Sequence, residues 1–224
     1  VYNEQNLIKK LLRKVNSVKN IKKEIIIVND GSTDKTSEII KKECKNLFNL
    51  LINCKINKGK GHACRLGIKK AKGEIIIIQD GDLEYNPKNY PRLIKPILQN
   101  QSKVVYGSRV LKGAKRTRPK TISFVIRIFA NHFLTFLSNI INNQNLTDAH
   151  TCYKVFSHKI LKKIILKEDG FNFCPEITTK ISKLNLKIIE VPIDYFGRTV
   201  DEGKKIQFFD GFRAIYCLLK YRFL

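Results

Sequence analysis

The sequence predicts an α/β fold in which a mostly parallel, doubly wound sheet is flanked by helices. Short apolar runs, above all the four isoleucines Ile75–Ile78, alternate with segments whose apolar residues recur every three to four positions. Such β-branched runs are typical of strands buried on both faces of a parallel sheet. The 224 residues suffice for one domain of this kind, so we interpret residues 1–224 as a single domain.

The predicted elements alternate along the first half of the chain. In order they are a helix over Glu4–Val18, a strand over Glu24–Val28, a helix from Thr33 or Asp34 to about Cys44, a strand over Leu50–Ile56, a helix near Gly61–Ala71, the strand before Asp80, a helix over Tyr90–Gln99 and a strand over Lys103–Tyr106. Strands that alternate with helices imply parallel crossovers.

The composition changes after Glu84. Eleven Lys or Arg residues and no acidic residue lie between Glu84 and Asp148. Five of the basic residues form a predicted loop that holds Lys112, Lys115, Arg116, Arg118 and Lys120. The loop precedes Thr121–Ile141, which combines a wide apolar face with a narrow polar stripe, and we interpret residues 112–141 as a membrane-facing insertion with an interfacial helix. Packing of the apolar face on the sheet is the alternative.

The formal net charge of +24, from 43 Lys+Arg and 19 Asp+Glu, indicates a polyanionic partner or a biased composition. An anionic membrane surface and phosphorylated substrates fit better than nucleic acid, because no helix-turn-helix, zinc pattern or aromatic-bearing sheet accompanies the charge. The six cysteines and four histidines show no metal-ligand spacing, so reduced thiols in a cytoplasmic protein are expected. No stretch is long and apolar enough to predict a transmembrane helix.

Two predicted strands end in carboxylates. Asp80-Gly81-Asp82 follows the isoleucine run, and Asp30 follows the strand Glu24–Val28. In extended backbone, residues i and i+2 point to the same side, so Asp80 and Asp82 can bind one hard cation such as Mg²⁺ or Mn²⁺. Because ligands of open α/β sheets bind at the carboxyl ends of strands, these acids predict a site.

Seven segments in order resemble the family 2 glycosyltransferases with a GT-A, nucleotide-diphosphosugar-binding fold, and in particular the polyprenyl-phosphate (dolichyl-phosphate) mannosyl- and glucosyltransferases. They are Val1-Tyr2-Asn3-Glu4, Asn29 to Asp34, Asn57 to Gly61, Asp80-Gly81-Asp82, Gly107-Ser108-Arg109, Thr147 to Phe156, and Arg198 to Asp210. The family carries the first segment after its first strand, so we expect roughly one strand to precede Val1.

The resemblance implies an inverting, metal-dependent hexosyltransferase. Its donor would be a nucleotide diphosphosugar of the GDP-mannose or UDP-glucose type, and its acceptor a polyprenyl phosphate at the cytoplasmic face of a membrane, where the protein would bind peripherally. A saccharide or other hydroxyl acceptor is the enzymatic alternative. A basic module that binds nucleic acid or membrane is the alternative without catalysis.

The expected site residues follow motif by motif. The metal ligands would be Asp80 and Asp82, and the catalytic residues Asp82, Asp148 and Arg198. Asp148 would act as a base or, in our preferred interpretation, position the acceptor. The donor-binding residues would be Tyr2, Glu4, Asp30, Lys60, Asp80, Arg109, Arg198, Lys204 and Lys205. Gly59-Lys60-Gly61 precedes a helix whose first N–H groups would face an anion. Glu84 stands where relatives often have Gln, which leaves its role open, and Glu176 is a lesser candidate.

Overall fold

The computed structural model describes residues 1–117, 122–198 and 209–224. Its helices are α1 (Ile8–Asn16), α2 (Thr36–Glu43), α3 (Lys60–Lys70), α4 (Tyr90–Leu98), α5 (Ile122–Asn142), α6 (His158–Leu161), α7 (Phe173–Lys183) and α8 (Phe209–Phe223). Its strands are β1 (Ile26–Asn29), β2 (Leu50–Asn53), β3 (Ile75–Ile77), β4 (Val104–Ser108), β5 (Lys115–Thr117), β6 (Lys154–Ser157), β7 (Ile188–Pro192) and β8 (Asp194–Phe196).

The strands form three hydrogen-bonded groups. β1 pairs in parallel with β2, β5 pairs in parallel with β8, and the remaining four lie in the order β3-β6-β4-β7. β6 runs antiparallel to both of its neighbours, whereas β4 and β7 are parallel. The alternation of strands and helices predicted the parallel pairing of β1 with β2. It carried no information on β5, β6, β7 and β8, which lie outside the alternating part of the chain.

The helices cover the sheet with their apolar sides. In α1 the residues Ile8, Leu11, Leu12 and Val15 are all buried, as the 3.6-residue period predicts. β4 is buried along its whole length at the centre of the four-stranded group. The core therefore lies between α1, α4 and α7 and the strands, and it fixes the strand ends that carry the polar motifs.

The predicted basic loop contains a strand, which corrects the expectation of an irregular segment. Lys115–Thr117 forms β5 and pairs with β8, so Arg116 lies opposite Tyr195. Its guanidinium carbon lies 5.7 Å from the centre of the Tyr195 ring. Arg118 and Lys120 lie outside the described residues.

Helices α5 and α8 pack against each other and present apolar side chains outward. The exposed large apolar residues of the two helices are Ile122, Val125, Ile126, Phe129, Phe133, Phe136, Ile140, Phe209, Phe212, Tyr216, Leu219 and Phe223. On the inner side of α5, Thr135, Ser138 and Asn142 are buried. The narrow polar stripe thus faces the protein, the reverse of the usual arrangement in a soluble protein. Within the described ranges no helix is both long and apolar enough to cross a bilayer.

Candidate active site

A cavity of about 1380 Å³ runs along β1 and β3 and includes the carboxyl ends of both strands. Its polar lining includes Tyr2, Glu4, Asp30, Lys60, Asp80, Asp82, Glu84, Arg109, Arg116, Arg127, Asn131, His150 and Arg198. The structure therefore brings together all the predicted site residues except three. Asp148 lies directly beneath the lining, in contact with Arg109 and Asn131, and Lys204 and Lys205 lie outside the described residues.

Asp80 and Asp82 follow β3 in the turn that holds Gly81. Both oxygens of Asp80 lie close to the Lys60 ammonium, at 2.7 and 2.8 Å. Burial favours the neutral acid, but the positive charge of Lys60 and the hydrogen bonds from Cys152 and Lys60 together outweigh it and lower the pKa of Asp80. Burial, together with the charges of Asp80 and Glu84, raises the pKa of Asp82 to about 7. The motif therefore concentrates more negative charge than Lys60 neutralises.

Arg198 connects three carboxylates at this end of the cavity. Its two terminal nitrogens each lie 3.2 Å from an oxygen of Glu4, and Nη2 lies 3.4 Å from Oδ2 of Asp82. Its backbone N–H donates to Glu84 Oε1 at 2.7 Å. Arg198, which the sequence placed in a loop near the donor, thus lies directly beside the Asp80–Asp82 motif.

Glu84 holds this arginine in place. Its second oxygen, Oε2, accepts from the Tyr195 hydroxyl at 2.8 Å, and its backbone carbonyl accepts from Phe196 N at 2.8 Å. Together with the bond to Arg198 N, these contacts tie the turn after β3 to β8. The residue whose role the sequence left open therefore positions Arg198.

Asp30 accepts hydrogen bonds from the turn that leads into α3. The donors are Asn57 Nδ2 at 3.0 Å, Lys58 N at 3.2 Å and Gly59 N at 2.7 Å. Gly59 adopts a φ of +106°, a conformation that favours glycine. Asp30 thus shapes the turn beside the predicted nucleotide site as well as lining the cavity.

Two of the first N–H groups of α3 are bonded within the protein and do not face an anion, which corrects the expectation for Gly59-Lys60-Gly61. Gly61 N donates to the Gly170 carbonyl at 3.2 Å, and His62 N donates to the Asp169 carbonyl at 3.0 Å. A Cβ at Gly61 would lie 2.2 Å from the Glu168 carbonyl, so glycine is required for this close approach. The segment serves the site through the Lys60 side chain.

Asp148 and Arg109 form a buried ion pair at the other end of the cavity. Arg109 Nε and Nη2 donate to the two oxygens of Asp148 at 2.6 and 2.7 Å, and Arg109 N donates at 3.1 Å. Burial opposes ionisation of Asp148, but Arg109 and the hydrogen bonds hold its pKa at about 2. Asp148 is therefore an anion whose two oxygens are both bonded, and the predicted phosphate-binding Arg109 is committed largely to Asp148.

Two further side chains, which the sequence did not indicate, fix the loop around Asp148. Glu190 of β7 accepts from Thr147 N at 2.7 Å, from the Thr147 hydroxyl at 2.9 Å and from Asp148 N at 2.9 Å. The fully buried ammonium of Lys154 donates to the carbonyls of Ala149 and Thr151, both at 2.8 Å. Asp148 therefore lies in a rigid frame.

His150 and Arg127 also line this end, although the sequence did not mark them as site residues. Burial and the nearby charge of Lys154 lower the pKa of His150 to about 4, so its imidazole is neutral at pH 7. Glu176, the lesser candidate, is fully buried and accepts from Lys167 N at 2.7 Å and Lys180 Nζ at 2.6 Å, so it has a structural role.

The comparison with protein families agrees with this arrangement. The sequence model of glycosyl transferase family 2 matches residues 1–165, about three quarters of the chain. The chain belongs to this family. The enzyme class expected from the motifs, a glycosyltransferase, is thereby confirmed.

Similar proteins include several that are named for dolichyl phosphate. A UDP-N-acetylglucosamine–dolichyl-phosphate N-acetylglucosaminyltransferase of Methanococcus voltae is 30% identical, with 97% of this chain and 92% of the relative covered. A dolichol-phosphate mannosyltransferase of Pyrococcus furiosus is 28% identical, with 98% and 62% covered. An uncharacterized protein of Methanocaldococcus jannaschii is 32% identical, with 97% and 88% covered.

Solved structures confirm the GT-A fold. Glucosyl-3-phosphoglycerate synthase of Mycobacterium tuberculosis, in complex with Mn²⁺ and UDP-glucose, superposes with a TM-score of 0.72. The match covers 99% of this chain and 76% of the synthase at 17% sequence identity. This family 2 glycosyltransferase therefore shares that fold.

Proposed function

We propose that this family 2 glycosyltransferase moves a hexose from a nucleotide diphosphosugar to a polyprenyl phosphate at the cytoplasmic face of a membrane. The observation that carries the proposal is the chemistry of the cavity lining. The part around Asp80 and Asp82, here called the carboxylate end, carries acidic side chains. The part around Asp148, called the arginine end, carries arginines, and the lining also includes apolar side chains of α5 and α8, namely Ile126, Phe133, Leu134, Phe212 and Ile215. A diphosphate with its cation fits the first end, and a phosphate on an apolar chain fits the second.

The carboxylate end suits Mg²⁺ or Mn²⁺. Asp80 and Asp82 offer hard oxygen donors from one turn, and Glu84 and Glu4 add to the negative charge beside them. The raised pKa of Asp82 reflects this excess charge, which a bound divalent cation would relieve. The cation would neutralise the departing diphosphate. Lys60 and Arg198 lie within bonding distance of the two aspartates, so they are placed to contact donor phosphate oxygens.

The arginine end suits an acceptor phosphate. Arg116 and Arg127 line the cavity, and a guanidinium matches phosphate oxygens with two parallel hydrogen bonds. The frame of Asp148 and Arg109 would fix the wall between the acceptor and the sugar. A phosphate acceptor is already an anion at neutral pH, so it needs no side chain to remove a proton, and Asp148 would position rather than deprotonate.

In the proposed reaction an acceptor phosphate oxygen attacks the anomeric carbon of the sugar. The new carbon–oxygen bond forms as the bond to the donor diphosphate breaks, and the nucleoside diphosphate leaves with that electron pair. Because the attack comes from the side opposite the leaving group, the configuration at the anomeric carbon inverts.

The outward apolar faces of α5 and α8 support the membrane location. Phe129, Phe133 and Phe212 are each more than half exposed. The loop and strand that precede α5 in the chain carry the exposed basic residues Lys112 and Lys115. An apolar helix face flanked by basic residues is typical of proteins that lie in a membrane interface. The dolichyl-phosphate enzymes among the relatives support the same acceptor class.

The test is a product assay with the full chain, Mn²⁺ and labelled UDP-glucose, GDP-mannose or UDP-N-acetylglucosamine. We expect label in a lipid phosphodiester when polyprenyl phosphate in vesicles is supplied, and none with a free saccharide or with 3-phosphoglycerate. Transfer to either water-soluble acceptor, without transfer to the lipid, would overturn the proposal. Arg127→Ala should lower transfer to the lipid by about 10-fold or more, since a charge-assisted hydrogen bond contributes about 1.5–3 kcal/mol.

A further inference from the structure

Tyr195 lines the cavity and contacts residues of both its ends. The residue is 2% exposed, so its position is fixed by packing. At the carboxylate end its hydroxyl donates to Glu84 Oε2 at 2.8 Å. At the arginine end its ring centre lies 5.1 Å from the guanidinium carbon of Arg109 and 5.7 Å from that of Arg116. One buried side chain therefore connects the two ends.

The register of β5 and β8 places Arg116 on this ring. The two strands pair in parallel, with Arg116 directly opposite Tyr195. Side chains of directly paired residues point to the same face of a sheet, so the two side chains lie within contact distance. A guanidinium within about 6 Å of the centre of a tyrosine ring is attracted by the negative face of that ring. The strand pairing therefore holds the Arg116 guanidinium against Tyr195.

A contact with an aromatic ring differs from a contact with a carboxylate in what it leaves to the arginine. A carboxylate accepts from the N–H groups and neutralises the charge, as Asp148 does for Arg109. A ring attracts the guanidinium through its face, and it carries no net charge. The contact with Tyr195 therefore fixes Arg116 in the cavity lining without neutralising it, which suits an arginine that binds a phosphate.

We propose that Tyr195 is a positioning residue for sugar transfer, and that its hydroxyl and its ring act on different substrates. The hydroxyl acts through Glu84, which holds Arg198 beside Asp82, so it serves donor binding. The ring acts through Arg116, so it serves binding of the acceptor phosphate. The assignment of donor and acceptor to the two ends rests on the proposed function, whereas the contacts of Tyr195 do not.

The test compares two replacements of Tyr195 in steady-state transfer to a short, water-soluble prenyl phosphate, with each substrate varied in turn at constant Mn²⁺. Tyr195→Phe keeps the ring and removes the hydroxyl, so it should raise KM for the donor about 5-fold and leave KM for the acceptor unchanged. Tyr195→Leu removes both, so it should also raise KM for the acceptor about 10-fold. An unchanged donor KM in Tyr195→Phe would overturn the role of the hydroxyl, and equal acceptor KM values in the two variants would overturn the role of the ring.

Tyr221→Leu is the matched control, because Tyr221 makes the same two kinds of contact on α8, away from the described lining of the cavity. Its hydroxyl donates to Glu168 Oε1 at 2.7 Å, and its ring centre lies 4.2 Å from the ammonium of Lys180 and 5.0 Å from that of Lys220. The substitution should lower the melting temperature, as Tyr195→Leu does, and leave both KM values unchanged. A similar rise of the acceptor KM in Tyr221→Leu would show that the effect of Tyr195→Leu is a general loss of stability.

A fluorinated phenylalanine at the position of Tyr195 separates the charge of the ring face from the volume of the side chain. Pentafluorophenylalanine has nearly the shape of phenylalanine, but its ring face is not negative and does not attract a cation. Its acceptor KM should therefore exceed that of Tyr195→Phe about 5-fold. Equal values would show that the ring only fills space. This pair keeps the role of the ring testable if Tyr195→Leu does not fold.

Phosphate binding distinguishes this inference from the proposed function. In calorimetry with inorganic phosphate, Mg²⁺ and saturating UDP or GDP, wild-type protein and Tyr195→Phe should bind alike, and Tyr195→Leu should bind about 10-fold more weakly. This order should hold even if no lipid product forms, an outcome that would overturn the proposed function alone. Wild-type protein that binds no phosphate, or equal binding by all three proteins, would overturn the role of Tyr195 at the arginine end.

Discussion

The acidic residues Asp148 and Asp82, at the two ends of the cavity, have pKa values shifted in opposite directions. Asp148 is fully buried, bonded through both oxygens to Arg109, and has a pKa of about 2. Asp82 remains partly exposed, with its carboxylate 3.4 Å from Arg198, and the pKa of this group is about 7. Both carboxylates are largely withdrawn from water. They differ in the charge that surrounds them.

This difference in charge indicates that the region around Asp148 stabilises the fold, whereas the region around Asp82 binds ligands. At Asp148 the protein supplies the opposite charge and the hydrogen bonds, so removing either partner should cost stability. At Asp82 the nearby carboxylates outnumber the nearby cations, so the repulsion between the carboxylates falls when a cation or a cationic complex binds. We therefore expect substitutions at the Asp148 end to act mainly on folding, and substitutions at the Asp82 end to act mainly on transfer.

The largest effect is expected for Asp82→Asn. Loss of a charged ligand should lower transfer about 1,000-fold or more, because a bound metal contributes several kcal/mol to the transition state. Initial rates at saturating donor and a range of Mn²⁺ concentrations measure the effect. The melting temperature should stay the same or rise, since the substitution removes repulsion between Asp82, Asp80 and Glu84.

Glu38→Gln is the matched control, because it also neutralises an acid but lies exposed on α2. It should leave transfer unchanged. Full activity of wild-type protein in a strong chelator would contradict the metal dependence. A large drop in melting temperature for Asp82→Asn would show that the Asp82 end also stabilises the fold, and it would contradict the expected difference between the two ends.

Asp148→Asn should destabilise the fold by about 3 kcal/mol, because it leaves the Arg109 charge buried without its partner. Urea unfolding measures the change. Replacing both partners, in Asp148→Asn with Arg109→Met, should recover part of the loss, since no unpaired charge then remains. A double variant as unstable as the sum of the two single variants would show that the pair contributes nothing beyond packing.

The same pair predicts a pH dependence. The pKa of Asp148 is lower in the folded chain, about 2, than its usual value of 3.8. The stability that the ionised group contributes is therefore present above about pH 4 and is lost as the pH falls toward 2. Wild-type protein should lose more stability than Asp148→Asn over this interval, in urea titrations at several pH values. Parallel curves for the two proteins would contradict the low pKa.

A smaller effect is expected for Glu84→Ala. Without the acceptors for Tyr195 and for the Arg198 backbone, Arg198 should lose its fixed position, and transfer should fall about 10-fold, the equivalent of one hydrogen bond. Glu84→Gln is the control, because its amide oxygen can accept from Arg198 N and its amide N–H can donate to the Tyr195 hydroxyl. Gln should restore most of the activity. Equal losses in both variants would indicate that the charge of Glu84, and not its hydrogen bonds, is required.

The sequence predicted the donor end better than the acceptor end. Asp80 and Asp82 are two residues apart in the sequence, so no tertiary information was needed to place them together, although they lie in a turn after β3 and not in the extended backbone that was expected. Asp148 and Arg109 were also named, but their ion pair joins residues 39 positions apart, and periodicity carries no information about such partners.

The first helices and strands lay within a few residues of their predicted bounds, because burial imposes a period on the sequence. The orientation of α5 was harder to predict from the sequence. A polar stripe on an apolar helix is compatible with an outward or an inward polar face, and only the packing against α7 and α8 shows that Thr135 and Ser138 point inward.

Lys115→Ala should produce the smallest effect, and it tests whether the acceptor end lies at a membrane. Lys115 is exposed, next to the cavity-lining Arg116, and a basic residue near an anionic bilayer contributes about 1 kcal/mol. Binding to vesicles that contain phosphatidylserine should fall about 5-fold at low salt, and the difference should shrink as salt screens the charge.

Lys41→Ala is the matched control, with the same change of net charge at an exposed position on α2. It should leave vesicle binding nearly unchanged, because α2 lies apart from α5 and α8 in the described contacts. For Lys115→Ala, transfer to long-chain polyprenyl phosphate in vesicles should fall with binding, while transfer to a short, water-soluble prenyl phosphate should not. Equal weakening by the two substitutions would mean that the overall charge, and not this face, attracts the membrane; equal losses on both acceptors would place Lys115 in the active site itself.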